Sequence, residues 1–89
     1  MFKTTSANGF HMTFANGYTV AVQWNAGNYC SNREGGNTSK TPRECSSVEV
    51  AVWDKDDQWV QLNPDSSNCV VGWQSADDVA AIMAKVAAM

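Results

Sequence analysis

From Phe10 to Trp24, apolar and polar side chains alternate on both sides of Ala15-Asn16-Gly17, the pattern of two antiparallel strands joined by a tight turn. Because strand side chains point to alternate faces, the length of the loop decides which residues share a side. A two-residue Asn-Gly turn pairs Phe14 with Thr19 and Met12 with Ala21, sending Phe10, Met12 and Phe14 to the face opposite Tyr18, Val20, Val22 and Trp24. A three-residue loop, with Ala15 and Asn16 in a type I turn and Gly17 left-handed, sets Phe14 against Tyr18, Met12 against Val20 and Phe10 against Val22. The longer loop collects the large apolar residues on one side and leaves His11, Thr13, Thr19, Ala21 and Gln23 on the other.

The same reasoning reads a second hairpin. Val48, Val50 and Val52 alternate with Glu49, Ala51 and Trp53, a turn follows at Asp54-Lys55-Asp56-Asp57, and the chain returns through Gln58 to Leu62. An odd loop, of three or five residues, places Val60 and Leu62 beside the valines and puts Trp53 and Trp59 together on the opposite face. A short fifth strand is expected at Cys69 to Trp73, after a turn at residues 63–68. A helix over residues 76–88 is announced by Ser75 as N-cap, with Asp77 and Asp78 in the first turn and Val79, Ile82, Met83 and Val86 forming one stripe. A helix this short is marginal alone in water and must pack on the sheet. The expected fold is therefore α+β: an antiparallel sheet of four to five strands, two of its hairpins explicit, with one C-terminal helix on the valine face.

At 89 residues the chain is the size of one domain, with one core. Met1 to Gly9 is polar and reads as no signal peptide, and no apolar run approaches the roughly 20 residues that span a bilayer. A cytoplasmic protein without membrane contact is expected. Cys30, Cys45 and Cys69 are odd in number and widely spaced, which suits neither a secreted disulfide framework nor a zinc site; reduced thiols are expected, with a Cys30 to Cys45 bridge as the alternative. The net charge of −3 is the wrong sign for wrapping a nucleic-acid polymer.

Residues 25–46 hold almost no apolar side chain and read as one long loop, rich in Gly, Asn, Ser and Thr. Loops of this length inside a small domain tend to bind something, or else to be mobile. Arg33, Lys40 and Arg43 against Glu34 and Glu44 make it the cationic feature of an acidic chain. No catalytic constellation accompanies it. His11, the single histidine, sits among threonines, and only a spatial approach by Cys30 or Cys45 would give it a nucleophile. Asp54, Asp56 and Asp57 begin like a calcium loop, yet Trp59 stands at the sixth position and Asp65 at the twelfth, so no metal site is expected. No phosphate-cradling glycine loop is present, and no cofactor is implied. Of the four tryptophans, Trp24 and Trp73 are candidates to finish the core, whereas Trp53 and Trp59 are placed by their register on the uncovered face, as a partner surface, a dimer contact or a stacking platform.

NGYTVAVQW at 16–24, GNYCSNR at 27–33, EVAVWDKDDQWV at 49–60 and GWQSADDVAAIM at 72–83 together resemble a family of small proteins of unassigned function encoded by tailed bacteriophages and prophages. The resemblance covers most of the chain and implies an accessory factor acting on a host component, for instance against a defence system. From the residues themselves, the expectation is a binding protein rather than an enzyme. Its binding residues would be Tyr29, Arg33, Arg43, Trp53 and Trp59, and its target a host protein or a small anionic, nucleotide-like ligand, since arginine offers forked donors and tryptophan a stacking face. The alternative is a structural or virion-associated module that forms a homodimer through Trp53 and Trp59.

Overall fold

The computed structural model describes residues 1–5, 8–33, 41–63 and 68–89. Its strands are β1 (Phe2–Thr4), β2 (Gly9–Thr13), β3 (Thr19–Gln23), β4 (Val48–Trp53), β5 (Trp59–Val60) and β6 (Val70–Gln74), followed by the helix α1 (Ala76–Ala87). They form one antiparallel sheet in the order β1-β2-β3-β4, with β5 and β6 sharing the far edge of β4. β5 takes the end of β4 at Val52 and Trp53, and β6 takes Val48 to Ala51. The architecture is the α+β arrangement expected, with a sixth strand in β1: Phe2, Lys3 and Thr4 pair with Met12, His11 and Phe10.

Both hairpins turn in the same way. In the first, the Phe14 amide donates to the Tyr18 carbonyl at 2.9 Å and the Gly17 amide to the Phe14 carbonyl at 3.0 Å, which is the three-residue loop, with Gly17 at φ 90°. Phe10 faces Val22 and Met12 faces Val20. In the second, the Asp54 amide donates to Gln58 at 2.9 Å and the Asp57 amide to Asp54 at 3.0 Å, with Asp57 at φ 60° in the place of the glycine. The Asp54 carboxylate stabilises that turn by accepting from the amides of Asp56 and Gln58.

One face of the sheet is the core. Val20, Val22, Val50 and Val52, from the two central strands, are almost wholly buried together with Val86 of the helix. Phe10, Phe14, Tyr18, Trp24, Val60, Leu62, Val79, Ile82 and Met83 pack around them. Burying each valine contributes on the order of 1.5–3 kcal/mol, enough to hold a helix that would not persist alone. The helix is fixed at both ends. Ser75 and Asp78 exchange reciprocal hydrogen bonds of 3.1 and 2.9 Å at its start, and the contacts with Ser75 hold the Asp78 carboxyl below its ordinary range. At its end the Asn16 side-chain amide, from the first hairpin turn, donates to the carbonyls of Val86 at 2.9 Å and Met89 at 3.2 Å. The turn that sets the strand register therefore also satisfies the carbonyls left open by the helix terminus.

Asp57 stands where a β-carbon is disfavoured and glycine is not. Asp57→Gly is expected to stabilise the protein by about 0.5–1 kcal/mol, seen as a higher urea midpoint at unchanged slope; a lower midpoint would show that the carboxylate matters more than the backbone.

Candidate functional site

On the face opposite the helix, strand pairing arranges side chains in three rows that cross the sheet. The middle row is Lys3, His11, Ala21, Ala51 and Val70, each opposite the next. The row on one side is Thr13, Thr19, Trp53 and Trp59. The row on the other side is Gly9, Gln23 and Glu49. Two alanines at the centre of the middle row, flanked by indoles on one side and by Gln23 and Glu49 on the other, leave a trough. Its volume is about 410 Å³, and it is lined by His11, Ala21, Gln23, Glu49, Ala51, Trp53, Asp57, Trp59 and Val70. That volume lies within the range of small-molecule sites, about 300–1,000 Å³.

The indole wall is built edge to face. The Trp53 and Trp59 rings lie 5.6 Å apart at 70°, and the His11 ring meets Trp53 at 4.9 Å and 83°. Trp53 is half-buried by these neighbours, while Trp59 remains 58% exposed. His11 titrates below its ordinary value of 6.5, first because burial disfavours the imidazolium and second because the Lys3 ammonium is nearby. It is thus a neutral ring at pH 7, half-buried in the trough rather than standing exposed on its strand.

The opposite wall is fixed by the start of the segment after β3. The Asn28 side-chain amide donates to Gln23 at 3.3 Å and to Glu49 at 3.2 Å, and the Tyr29 amide donates to the other Glu49 oxygen at 2.6 Å. Tyr29 then rests on β6, where Gly72 leaves no space: a β-carbon there would lie 2.6 Å from that of Tyr29. The Trp73 amide donates to the Tyr29 carbonyl at 2.8 Å. The register of β6 on β4 shifts between Val48 and Val50, so Gly72 and Trp73 together oppose Glu49, and Trp73 adopts φ 51°. This bulge turns the Trp73 ring away from the core and against Tyr29, at 5.7 Å, leaving it 58% exposed. The expectation that Trp73 finishes the core is thereby corrected, whereas Trp24 does pack on the core. The Arg33 guanidinium lies 4.3 Å from the centre of the Tyr29 ring and donates to the Gly27 carbonyl at 3.1 Å.

The single polar loop read at 25–46 is, over its described residues, a built structure. Asn8, Asn25 and Asn32 act as struts. The Asn8 amide donates to the Asn25 side chain, the Asn8 side chain to the Pro42 carbonyl at 2.7 Å, and the Asn32 side chain to the carbonyls of Trp24, Pro42 and Glu44. Ser31 joins Ser46 and Ser47. These bonds order the described residues of the segment with little apolar burial beyond Ala26 and Cys30. Lys40 and Glu34 lie outside the described residues, as does Asp65 of the calcium-loop spacing.

Of the expected binding residues, Tyr29 and Arg33 come together beyond Glu49, and Trp53 and Trp59 come together in the wall of the trough. Arg43 does not join them. Its carbonyl accepts from the Trp24 indole at 2.8 Å, and Trp24 belongs to the core face. Sequence reading passed over Asn28 and Gly72 and gave Trp73 no place beside the site; a glycine inside the short strand was the available sign of a bulge.

The three cysteines are free thiols. Cys30 is almost wholly buried, donates to the Asn25 carbonyl and neighbours Cys45; burial, above all, raises its pKa. It is engaged there and not with His11, whose ring lies on Trp53. Among the described residues no three His, Cys, Asp or Glu side chains group so as to hold a metal ion, and no helix is long and apolar enough to cross a membrane. Comparison with family models, with curated proteins and with solved structures finds no match for this chain.

Two measurements check the electrostatics. The His11 ring is expected to titrate by NMR with a midpoint below 6.5, moving upward but not fully back in Lys3→Ala. The associated stability is fully present above pH 6.5 and is lost as the pH falls through the depressed folded value, because only the unfolded chain takes up the proton readily. A midpoint at or above 6.5 would mean that the ring is not buried as described. Separately, a thiol reagent should modify Cys45 and Cys69 in the native protein and reach Cys30 only after denaturation; rapid modification of Cys30 would contradict its burial.

Proposed function

We propose that this is a binding protein whose open sheet face takes a small ligand carrying a planar heteroaromatic ring, stacked on the Trp53 and Trp59 wall. The observation that carries the reading is an exposed indole, Trp59, braced by a second one at the edge of a trough of about 410 Å³. Water disfavours such a surface, and the fold gains little from the exposed ring. Aromatic surface with a few fixed polar groups is the usual make-up of a ligand site. The acceptors here suit a ring with amino or ring N–H donors: Glu49 and Asp57 supply carboxylates, and His11 is an uncharged imidazole at neutral pH. In the setting implied by the bacteriophage resemblance, such a protein would act on its host by withholding a ligand of this kind.

Titration with free nucleobases and nucleosides, followed by tryptophan fluorescence, tests this. Trp59→Ala should keep the melting temperature, because the ring is exposed, and weaken binding by about tenfold, as expected for the loss of one stacked ring. Absence of binding throughout, or a variant that binds like the wild type, would remove the proposal. A protein that ignores these ligands and sediments as a dimer only while Trp59 is present would favour the structural module instead.

A further inference from the structure

Tyr29, Arg33 and Trp73 cluster beyond the Glu49 wall, on the side of the trough away from the indoles, where the Tyr29 amide donates to Glu49; none of the three lines the trough itself. Glu49 and Trp53 are four residue steps apart along β4, which sets the two walls about 13 Å apart. We propose that this far rim is an anion subsite and that the ligand is a nucleotide, its base on the Trp53 and Trp59 wall and its phosphates at Arg33. The proposal rests on the binding reading above and extends it.

Three observations converge on the rim. Arg33 is a surface arginine whose guanidinium is already positioned, stacked on Tyr29 and tied to the Gly27 carbonyl, so less side-chain freedom is lost when it meets an anion. A guanidinium presents five N–H donors in a planar fork that matches phosphate. Tyr29 is in turn braced by Trp73, which holds a left-handed backbone that a tryptophan adopts only at a cost. The hydrogen bond made by residue 73 to Tyr29 uses the main chain, so glycine would serve the backbone better, and the mostly exposed ring adds little to the core. A strained residue whose side chain returns so little stability points to a role outside the fold.

Glu49 and Asp57 line the trough and would repel phosphate, and His11 is uncharged there at pH 7, so the anion is placed outside the Glu49 wall, at Arg33. Lys3, beside His11 at the sheet edge, is another cation on this face and serves as the control.

The experiment compares nucleosides of adenine, guanine, cytosine and uracil with their mono-, di- and triphosphates, by calorimetry on the full chain. For the base that binds, the triphosphate should bind about tenfold tighter than the nucleoside, the worth of one charge-assisted contact, and the gain should shrink as salt is raised. Arg33→Ala should abolish that gain and leave nucleoside affinity within about twofold, whereas Lys3→Ala should keep it. Trp73→Gly should reduce the gain with no loss of melting temperature, which separates bracing of the site from damage to the fold. Equal affinity for nucleoside and triphosphate, a gain that survives Arg33→Ala, or a gain lost in Lys3→Ala would each overturn the nucleotide assignment while leaving the indole site standing. If nothing binds, or if Trp59→Ala binds every compound as the wild type does, both proposals fall.

Discussion

Four valines on two adjacent strands govern this molecule. Val20 opposes Val52 and Val22 opposes Val50, all on one side of the sheet, and their burial under Val86 decides which face is closed. Period-two alternation then leaves no choice about the other side. If Val20 and Val22 point to the core, Thr19, Ala21 and Gln23 cannot, and the same holds for Ala51 and Trp53 on β4. The trough is thus a consequence of the core. Its floor is low where Ala21 meets Ala51 and its wall is high where Trp53 meets Trp59, because those residues are opposite one another in the register that the valines require.

The remaining order comes from side-chain amides. Asn16 closes the helix terminus, Asn28 ties Gln23 to Glu49, and Asn8 and Asn32 hold the Pro42 carbonyl from two sides. Each asparagine offers two donors and an acceptor on a short side chain, so one residue can satisfy several main-chain groups that no strand or helix would pair. The described parts of the segment between β3 and β4 can therefore be ordered with little apolar burial beyond Ala26 and Cys30. The same network sets Tyr29 against Gly72, and with it the far rim of the trough.

How much of this could be read from the sequence follows from which of these two mechanisms is at work. Hairpin registers were legible because parity is a strict rule: one loop length put Phe10, Val20 and Val22 on a common side, and the pairing of Trp53 with Trp59 came with it. The helix was legible from Ser75, Asp78 and a single apolar stripe. β1 was not, since Phe2-Lys3-Thr4 is too short to show alternation and gains its place by pairing with β2. The asparagine network was read as a loop because hydrogen bonds between distant side chains and carbonyls have no period in the sequence. Trp73, a candidate for the core on the size of its ring, is turned outward by the bulge opposite Glu49, which has no periodic signature in the sequence. Arg43 was grouped with Arg33 on charge alone, whereas its carbonyl accepts from the indole of Trp24, whose ring packs on the core.

These departures share a direction. Where the sequence obeys parity, the structure is a stable two-sided sheet; where it violates a local preference, the residue concerned lies at the trough or beyond its Glu49 wall. Asp57 takes a conformation suited to glycine and lines the pocket; Trp73 takes one too and carries an exposed ring against Tyr29. Stability alone would place glycine at both positions and a polar side chain at Trp59, so an account based on folding leaves all three unexplained. The ligand site proposed above would give the exposed Trp59 ring a stacking partner and the Trp73 ring a use in bracing Tyr29.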